Sequence, residues 1–170
     1  MFREMRRKNQ LLSESDAAAI LRAGTHGVLA AAGDDGYPYA VPMSYVYTAD
    51  GRLFFHWARS GHKLDAVLRE PKASFCVVGQ DVIVPEHYTT HFSSVIAFGR
   101  VRVLTDDAER LAALLALAGK YTPGDPAGCR KEAEGALPRV CIAELVIEHL
   151  TGKEAIELTR ARTAGAAAKE

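Results

Sequence analysis

The chemistry-bearing residues of this sequence gather in one stretch, Arg52 to Pro71, which reads Arg-Leu-Phe-Phe-His-Trp-Ala-Arg-Ser-Gly-His-Lys-Leu-Asp-Ala-Val-Leu-Arg-Glu-Pro. It opens on Asp50-Gly51, a tight-turn signal, and then alternates as a strand does. Leu53, Phe55 and Trp57 fall on one face, and Phe54, His56 and Ala58 on the other. From Ser60 the period changes, and Leu64, Val67 and Leu68 recur at helical spacing until Pro71 stops the run. A strand therefore feeds a short helix through Ser60-Gly61-His62-Lys63. The first N–H groups of such a helix carry partial positive charge and favour an anion. Gly61 lets the backbone approach closely, and His62 and Lys63 add donors, so the turn reads as a phosphate cradle. The plainer alternative is that Ser60 caps the helix and Lys63 is solvated. His56 lies up the strand from the cradle, within reach of the ring of a phosphate-bearing cofactor; its plainer reading is a hydrogen-bonded core histidine.

The elements that must position these residues follow from the rest of the pattern. Ser13-Glu-Ser-Asp16 resembles a capping box and opens a helix with Ala17, Ile20 and Leu21 on its apolar face, closed near Gly24. Val28–Ala32 is a short apolar strand, and Gly33–Gly36 a turn. Tyr37–Tyr47 is a second strand, with Tyr39, Val41, Met43, Tyr45 and Tyr47 on one face. Pro38 and Pro42 cannot donate to a ladder. Pro42 marks either a break in pairing that frees backbone groups for a ligand, or an edge strand. Further strands are predicted over Lys72–Pro85, bulged at Gly79, over Ser93–Leu104, and over Arg139–Leu150. Glu86–Phe92 reads as a loop and 121–136 as a Gly/Pro-rich loop with a turn of helix. Asp106-Asp-Ala-Glu109 caps a helix that buries Leu111, Leu114, Leu115 and Ala118. Thr151-Gly152 turns into Glu154–Leu158, and the Ala-rich tail from Thr159 is unpatterned and expected to be disordered. About six strands and three helices, without strict βαβ alternation, predict a mainly β fold: a small antiparallel barrel with peripheral helices. Residues 1–158 form its single domain.

Composition narrows the function. A chain of 170 residues with 48% hydrophobic and 25% charged residues suits a single soluble globular domain. Lys+Arg and Asp+Glu both number 21, which argues against nucleic acid or an anionic membrane as the main partner. Cys76, Cys129 and Cys141 lack CxxC spacing, Cys76 and Cys141 sit inside apolar runs and read as reduced core residues, and no signal peptide or membrane span is apparent, so a cytoplasmic protein is expected. His87 and His91 stand four apart, but Pro85 and the Thr89-Thr90 pair disfavour the helix that metal binding would need, and no metal is expected. No GxSxG or GxGxxG motif occurs.

Three motifs in order, Pro38-Tyr-Ala-Val-Pro-Met-Ser-Tyr45, Leu53–Ala66 and Ser93-Ser-Val-Ile-Ala-Phe-Gly-Arg-Val101, resemble the pyridoxamine 5′-phosphate oxidase-like split-barrel flavoproteins, and within them the nitroimidazole-resistance (Nim) branch. The similarity runs from about Arg6 to Leu158. It implies a homodimeric split β-barrel with FMN at the subunit interface. The first flavin-contacting strand matches Val41-Pro42-Met43-Ser44. The phosphate-binding turn matches Ser60-Gly61-His62-Lys63, where the oxidases carry Ser-Arg-Lys, so that His62 replaces an arginine. The histidine associated with the activity of the Nim branch matches His56, and Trp57 beside it counts among the cofactor contacts. Ser93-Ser94-Val95 matches the strand that reaches the flavin from the partner subunit. No match is seen to the residues with which the oxidases hold pyridoxal phosphate. The resemblance implies a reductase of small electron-poor molecules such as nitroaromatics, with its electron donor unspecified. The alternative is a non-catalytic flavin or haem binder.

Overall fold

The computed structural model describes residues 1–167. All strand pairs are antiparallel and form one sheet of seven strands in the order β2-β1-β5-β6-β7-β4-β3. The strands are β1 (His26–Ala32), β2 (Pro38–Ser44), β3 (Val46–Tyr47), β4 (Leu53–Ala58), β5 (Lys72–Val84), β6 (Thr89–Val103) and β7 (Val140–Glu154). The helices are α1 (Glu14–Ala23), α2 (His62–Arg69), α3 (Asp107–Tyr121), α4 (Pro126–Ala136) and α5 (Ile156–Ala167). Among the described residues, no helix is long and apolar enough to cross a membrane.

The topology turns on one residue. The segment expected as a single strand over Tyr37–Tyr47 is two strands, because Tyr45 leaves the ladder. Before it, β2 is one edge of the sheet; after it, β3 is the other. With its two edges joined by a single residue, the sheet must curl, yet no ladder closes it: this is a split barrel. Pro42 does not mark the break. It pairs with Val28 in unbroken register on the edge strand, where a missing N–H costs nothing.

Alternation then sorts side chains to the two faces of the curled sheet. Leu29, Met43, Leu53, Phe55, Trp57, Phe75, Val77, Val95, Ala97 and Leu145 fill the interior, with Ala17 and Leu21 of α1 and Ala66 and Val67 of α2 in the same cluster. Phe75 meets Tyr45 and Phe55 edge-on, with ring centroids 4.8 and 4.9 Å apart, a favoured aromatic geometry. A second core lies outside the barrel, where α3 and α4 cover Val46, Phe54 and Ile142 with Leu114, Leu117 and Ala133. Gly99 sits at a register shift between β6 and β7. A Cβ there would stand 2.0 Å from the Val146 carbonyl oxygen, so only glycine allows the approach that bends these long strands.

Several boundaries differ from the sequence reading. Residues 126–136 are helical: Asp125 accepts from the Gly128 N–H, and Pro126 occupies the first turn, a start the composition obscured. His87 ends a 3₁₀ turn and His91 lies in β6, because the hairpin turn is tighter than a seven-residue loop. Thr151 and Gly152 remain in β7. The expected tail is helical as far as Ala167, and Arg162 reaches back to the Glu154 carboxylate at 2.7 Å; residues 168–170 lie outside the described residues.

The gap at Tyr45 is filled by α3. The Tyr121 hydroxyl accepts from the Tyr45 N–H at 3.0 Å and lies within hydrogen-bonding distance of the Tyr45 and Thr25 carbonyl oxygens. Removing it leaves a partly buried N–H and C=O without partners. Tyr121→Phe is expected to lower stability by about 1–3 kcal/mol, the cost of such orphaned groups, read as a lower urea midpoint with unchanged slope.

Candidate functional site

His56 stands on β4 between Phe55 and Trp57, and the pleat turns it outward. Phe55 and Trp57 are 0% and 6% exposed in the barrel core, whereas His56 is open to the other side. There it lines a cavity of about 480 Å³ with Ser44 from the end of β2, Tyr121 and Thr122 from the end of α3, Glu132 from α4, and Arg139. Leu114, Leu117, Ala133 and Val140 make the apolar wall. The cavity lies where the end of α3, which reaches the strand switch at Tyr45, and α4 border the outer side of β4. Partial burial disfavours the imidazolium and lowers the His56 pKa from its ordinary value. The shift favours the neutral imidazole, in which one nitrogen is a donor and the other an acceptor.

The turn after β4 is built as the sequence suggests, with one difference. Ser60 does not cap α2. The N-cap position is Gly61, and no side chain bonds to the first turn of the helix. The other three helices with a described N-cap are closed by Ser13, Asp106 and Asp125. Gly61 has φ +114°, which favours glycine, and nothing lies within 4 Å of where a Cβ would stand. The first N–H groups of α2 thus have no side-chain acceptor among the described residues, and Lys63 stands in the same turn. His62 is occupied: its ring stacks on Tyr39 at 4.0 Å, and its Nε2 lies 3.5 Å from the Asp34 carboxylate. Arg69, from the last turn of α2, holds the same Asp34 at 2.9 Å.

The expected site residues therefore divide. Ser44 and His56 share the cavity. Ser60, Gly61, His62 and Lys63 form a separate turn beyond the C-terminal end of β4. Val41 and Met43 turn their side chains to the barrel core, Met43 being 8% exposed, so only Pro42, Ser44 and the strand backbone face outward. Trp57, counted among the cofactor contacts, is a core residue on the face opposite His56, and its side chain is not available to a ligand there. Ser93 and Ser94 lie on β6, paired with Gln80 and Val78, outside the cavity that His56 lines. Tyr121, Glu132 and Arg139 were missed. They come from the end of α3, from α4, which the Gly and Pro content concealed, and from the turn after it, and no spacing links them to His56.

An open antiparallel barrel whose edge strands are joined at Tyr45, with an outward-facing histidine on β4 near the join and an uncapped helix start beyond it, is a split barrel with a candidate ligand crevice at the split. The family model of pyridoxamine 5′-phosphate oxidase matches residues 13–154, and the chain belongs to that family. A comparison with curated proteins gave no match. Among solved structures, the chain is similar to a proposed 5-nitroimidazole antibiotic resistance protein of Bacteroides thetaiotaomicron, with 22% identity and a TM-score of 0.71, covering 85% of this chain and 86% of that one. It is also similar to an FAD- and haem-binding protein of Mycobacterium smegmatis, with 24% identity and a TM-score of 0.73, over 86% and 73% of the two chains. A third is an FAD-binding protein of Mesorhizobium loti, with 25% identity and a TM-score of 0.62, over 86% and 97%.

Proposed function

We propose that this protein is a flavin-dependent reductase that holds FMN between the Ser60–Lys63 turn and the His56 crevice and reduces small electron-poor molecules of the nitroaromatic kind. The observation that carries the reading is the pairing of an uncapped helix start with an outward histidine one strand-end away. A strand rises about 3.3 Å per residue, so four residues span roughly 13 Å, comparable to the reach from a flavin phosphate to its ring. The α2 N-terminus and Lys63 suit one phosphate. The outward backbone around Pro42 and Ser44 offers the ring a flat strand edge. Bound reduced flavin supplies the two electrons that, with two protons, turn a nitro group into a nitroso group and water. The chain's own part is to orient and to hydrogen-bond: neutral His56 can offer an N–H to a substrate oxygen. The free thiols at Cys76, Cys129 and Cys141 accord with a cytoplasmic setting.

The reading includes a homodimer, on grounds that differ from the sequence expectation. Val41, Met43, Tyr45, Val95 and Ala97 are not available to a partner, because the barrel's own core takes them. What remains is the sheet's other face, where Pro42, Val28, Cys76 and Ile96 share one register row and Ala40, Ala30, Ser74 and Phe98 the next. Small and apolar side chains fill this face, and Val28 and Val78 are 36% and 61% exposed. Packing of two such faces would bring Ser93 and Ser94 within a partner's reach. Light scattering of the FMN-loaded protein should give twice the chain mass; a stable FMN-bound monomer would count against the dimer.

Lys63→Ala should weaken FMN by about 1.5–3 kcal/mol, the range for a hydrogen bond to a charged group, and leave riboflavin, which lacks the phosphate, unchanged. Equal losses for both ligands would remove Lys63 from the phosphate site.

A second reading is favoured by one feature: a neutral imidazole in an apolar crevice is also suited to ligate haem iron. The two readings separate on His56. In the flavin reading, His56→Ala keeps FMN near stoichiometric and slows oxidation of the dithionite-reduced protein by a nitroimidazole at least about tenfold, below the 10²–10⁴ of a full general acid. His56→Gln, which retains an N–H donor, should recover part of the rate. Full activity in flavin-loaded His56→Ala protein would sink the catalytic role, and a Soret band lost on that substitution would favour haem.

A further inference from the structure

We propose that the mouth of the His56 cavity selects planar aromatic molecules that carry a negative charge, with Arg139 as their anchor and Glu132 as the opposing charge that fixes their orientation. This deepens the reductase reading and rests on it only for the chemistry after binding. The wall of the cavity is apolar and formed by Leu114, Leu117, Ala133 and Val140, and the first three are 6%, 4% and 3% exposed, so the floor is fixed by the outer core rather than by mobile side chains. A volume of about 480 Å³ lies within the range of small-molecule sites. The rim is polar, and its two full charges are Glu132 and Arg139.

Both of those charges are uncommitted. Arg139 donates through Nε to the Gly135 carbonyl oxygen at 3.1 Å, which holds the base of the guanidinium and leaves its terminal nitrogens free. Among the described residues neither Arg139 nor Glu132 has a salt-bridge partner, whereas their neighbours Arg130 and Glu134 pair with each other at 3.4 Å. An unpaired guanidinium beside an apolar slot suits a carboxylate on an aromatic ring: the ring gains burial, and the carboxylate gains paired, charge-assisted donors. Glu132 penalises the same anion if it enters turned the other way, so the two residues set direction as well as charge.

The test uses non-redox probes on the FMN-loaded protein, so that binding is read apart from turnover. Benzoate and its neutral isostere benzamide are titrated by calorimetry. Benzoate should bind about tenfold or more tightly than benzamide in the wild type. Arg139→Leu should abolish that preference while leaving benzamide affinity unchanged, Arg139→Lys should keep part of it, and Glu132→Gln should widen it several-fold. Equal binding of the two probes, weak binding of both, or a preference that survives Arg139→Leu would overturn the inference. The reductase reading would still stand if the same protein, reduced by dithionite, were oxidised by a neutral nitroaromatic. If that reaction failed while the benzoate preference followed Arg139, the reading would fall and the charge selection would remain.

Discussion

The segment Pro38–Tyr47 has to serve both edges of one sheet, and the constraint is met at Tyr45. A residue that leaves one ladder before joining another has a backbone N–H and C=O with no strand partner. In a buried setting such groups destabilise the fold unless something else bonds them. Here one phenol does so. The Tyr121 hydroxyl meets both groups from the last turn of α3. The Tyr45 side chain is tied as firmly: its hydroxyl donates to the Leu21 carbonyl at 2.7 Å, and Lys120 sits over its ring at 3.9 Å while donating to the Gly24 carbonyl at 2.6 Å. Burial, aided by Tyr121, raises the pKa of that hydroxyl and keeps it a donor. Three elements, α1, α3 and the split strand, thus converge on one residue.

The candidate site is a consequence of that arrangement. Because α3 must end at Tyr45, its last residues Tyr121 and Thr122 border the crevice that Ser44 and His56 open onto. Because the split joins the two edges of the sheet, a residue of β2, one edge, and a residue of β4, the strand next to the other edge, line one crevice although four strands separate them in the sheet order. The remainder of the outer face is stiffened by charge. Arg52 and Arg102 share Glu144 and Glu109, with Arg52 reaching Glu144 at 2.8 Å. The two arginines hold the Glu109 carboxyl down to about 2. The network fastens the start of α3 to β4, β6 and β7, and so fixes the far end of the helix that closes the crevice.

What was legible in the sequence follows from period. The alternation of Leu53–Ala58 assigned His56 to the face opposite Phe55 and Trp57, and that side proves to be the outer one. The glycine in Ser60-Gly61 announced a backbone that other residues avoid. A strand switch has no period of its own. Tyr45 continues the alternation of Tyr39, Val41 and Met43, so nothing in the sequence separates a strand that changes partners from one that does not. The group that makes the change possible, Tyr121, is 76 residues away. Pro42 was the visible irregularity, yet an edge strand absorbs a proline without loss. Helix α4 was hidden for the opposite reason: Gly, Pro and Asp at 123–128 signalled a loop, while Asp125 and Pro126 are helix-starting residues in that context, so the hairpin it makes with the legible α3 was not visible. Arg139 and Glu132, which depend on that hairpin, were out of reach with it.

The histidine at position 62 is best understood from the same geometry. At the turn where the oxidases carry an arginine, a shorter ring stacks on Tyr39 of the edge strand and faces Asp34, while Arg69 grips Asp34 from the other end of α2. Both ends of a helix of only eight residues are thereby fastened to the β1–β2 turn. A helix that short contributes little stability alone, and its N-terminus can present aligned N–H groups only if tertiary contacts hold it still. His62 therefore helps to orient the helix start. Under the FMN reading proposed above, the phosphate would rest on Lys63 and the uncapped N–H groups, which is why the absence of a side-chain cap at Gly61 matters more to that proposal than the number of basic residues around it.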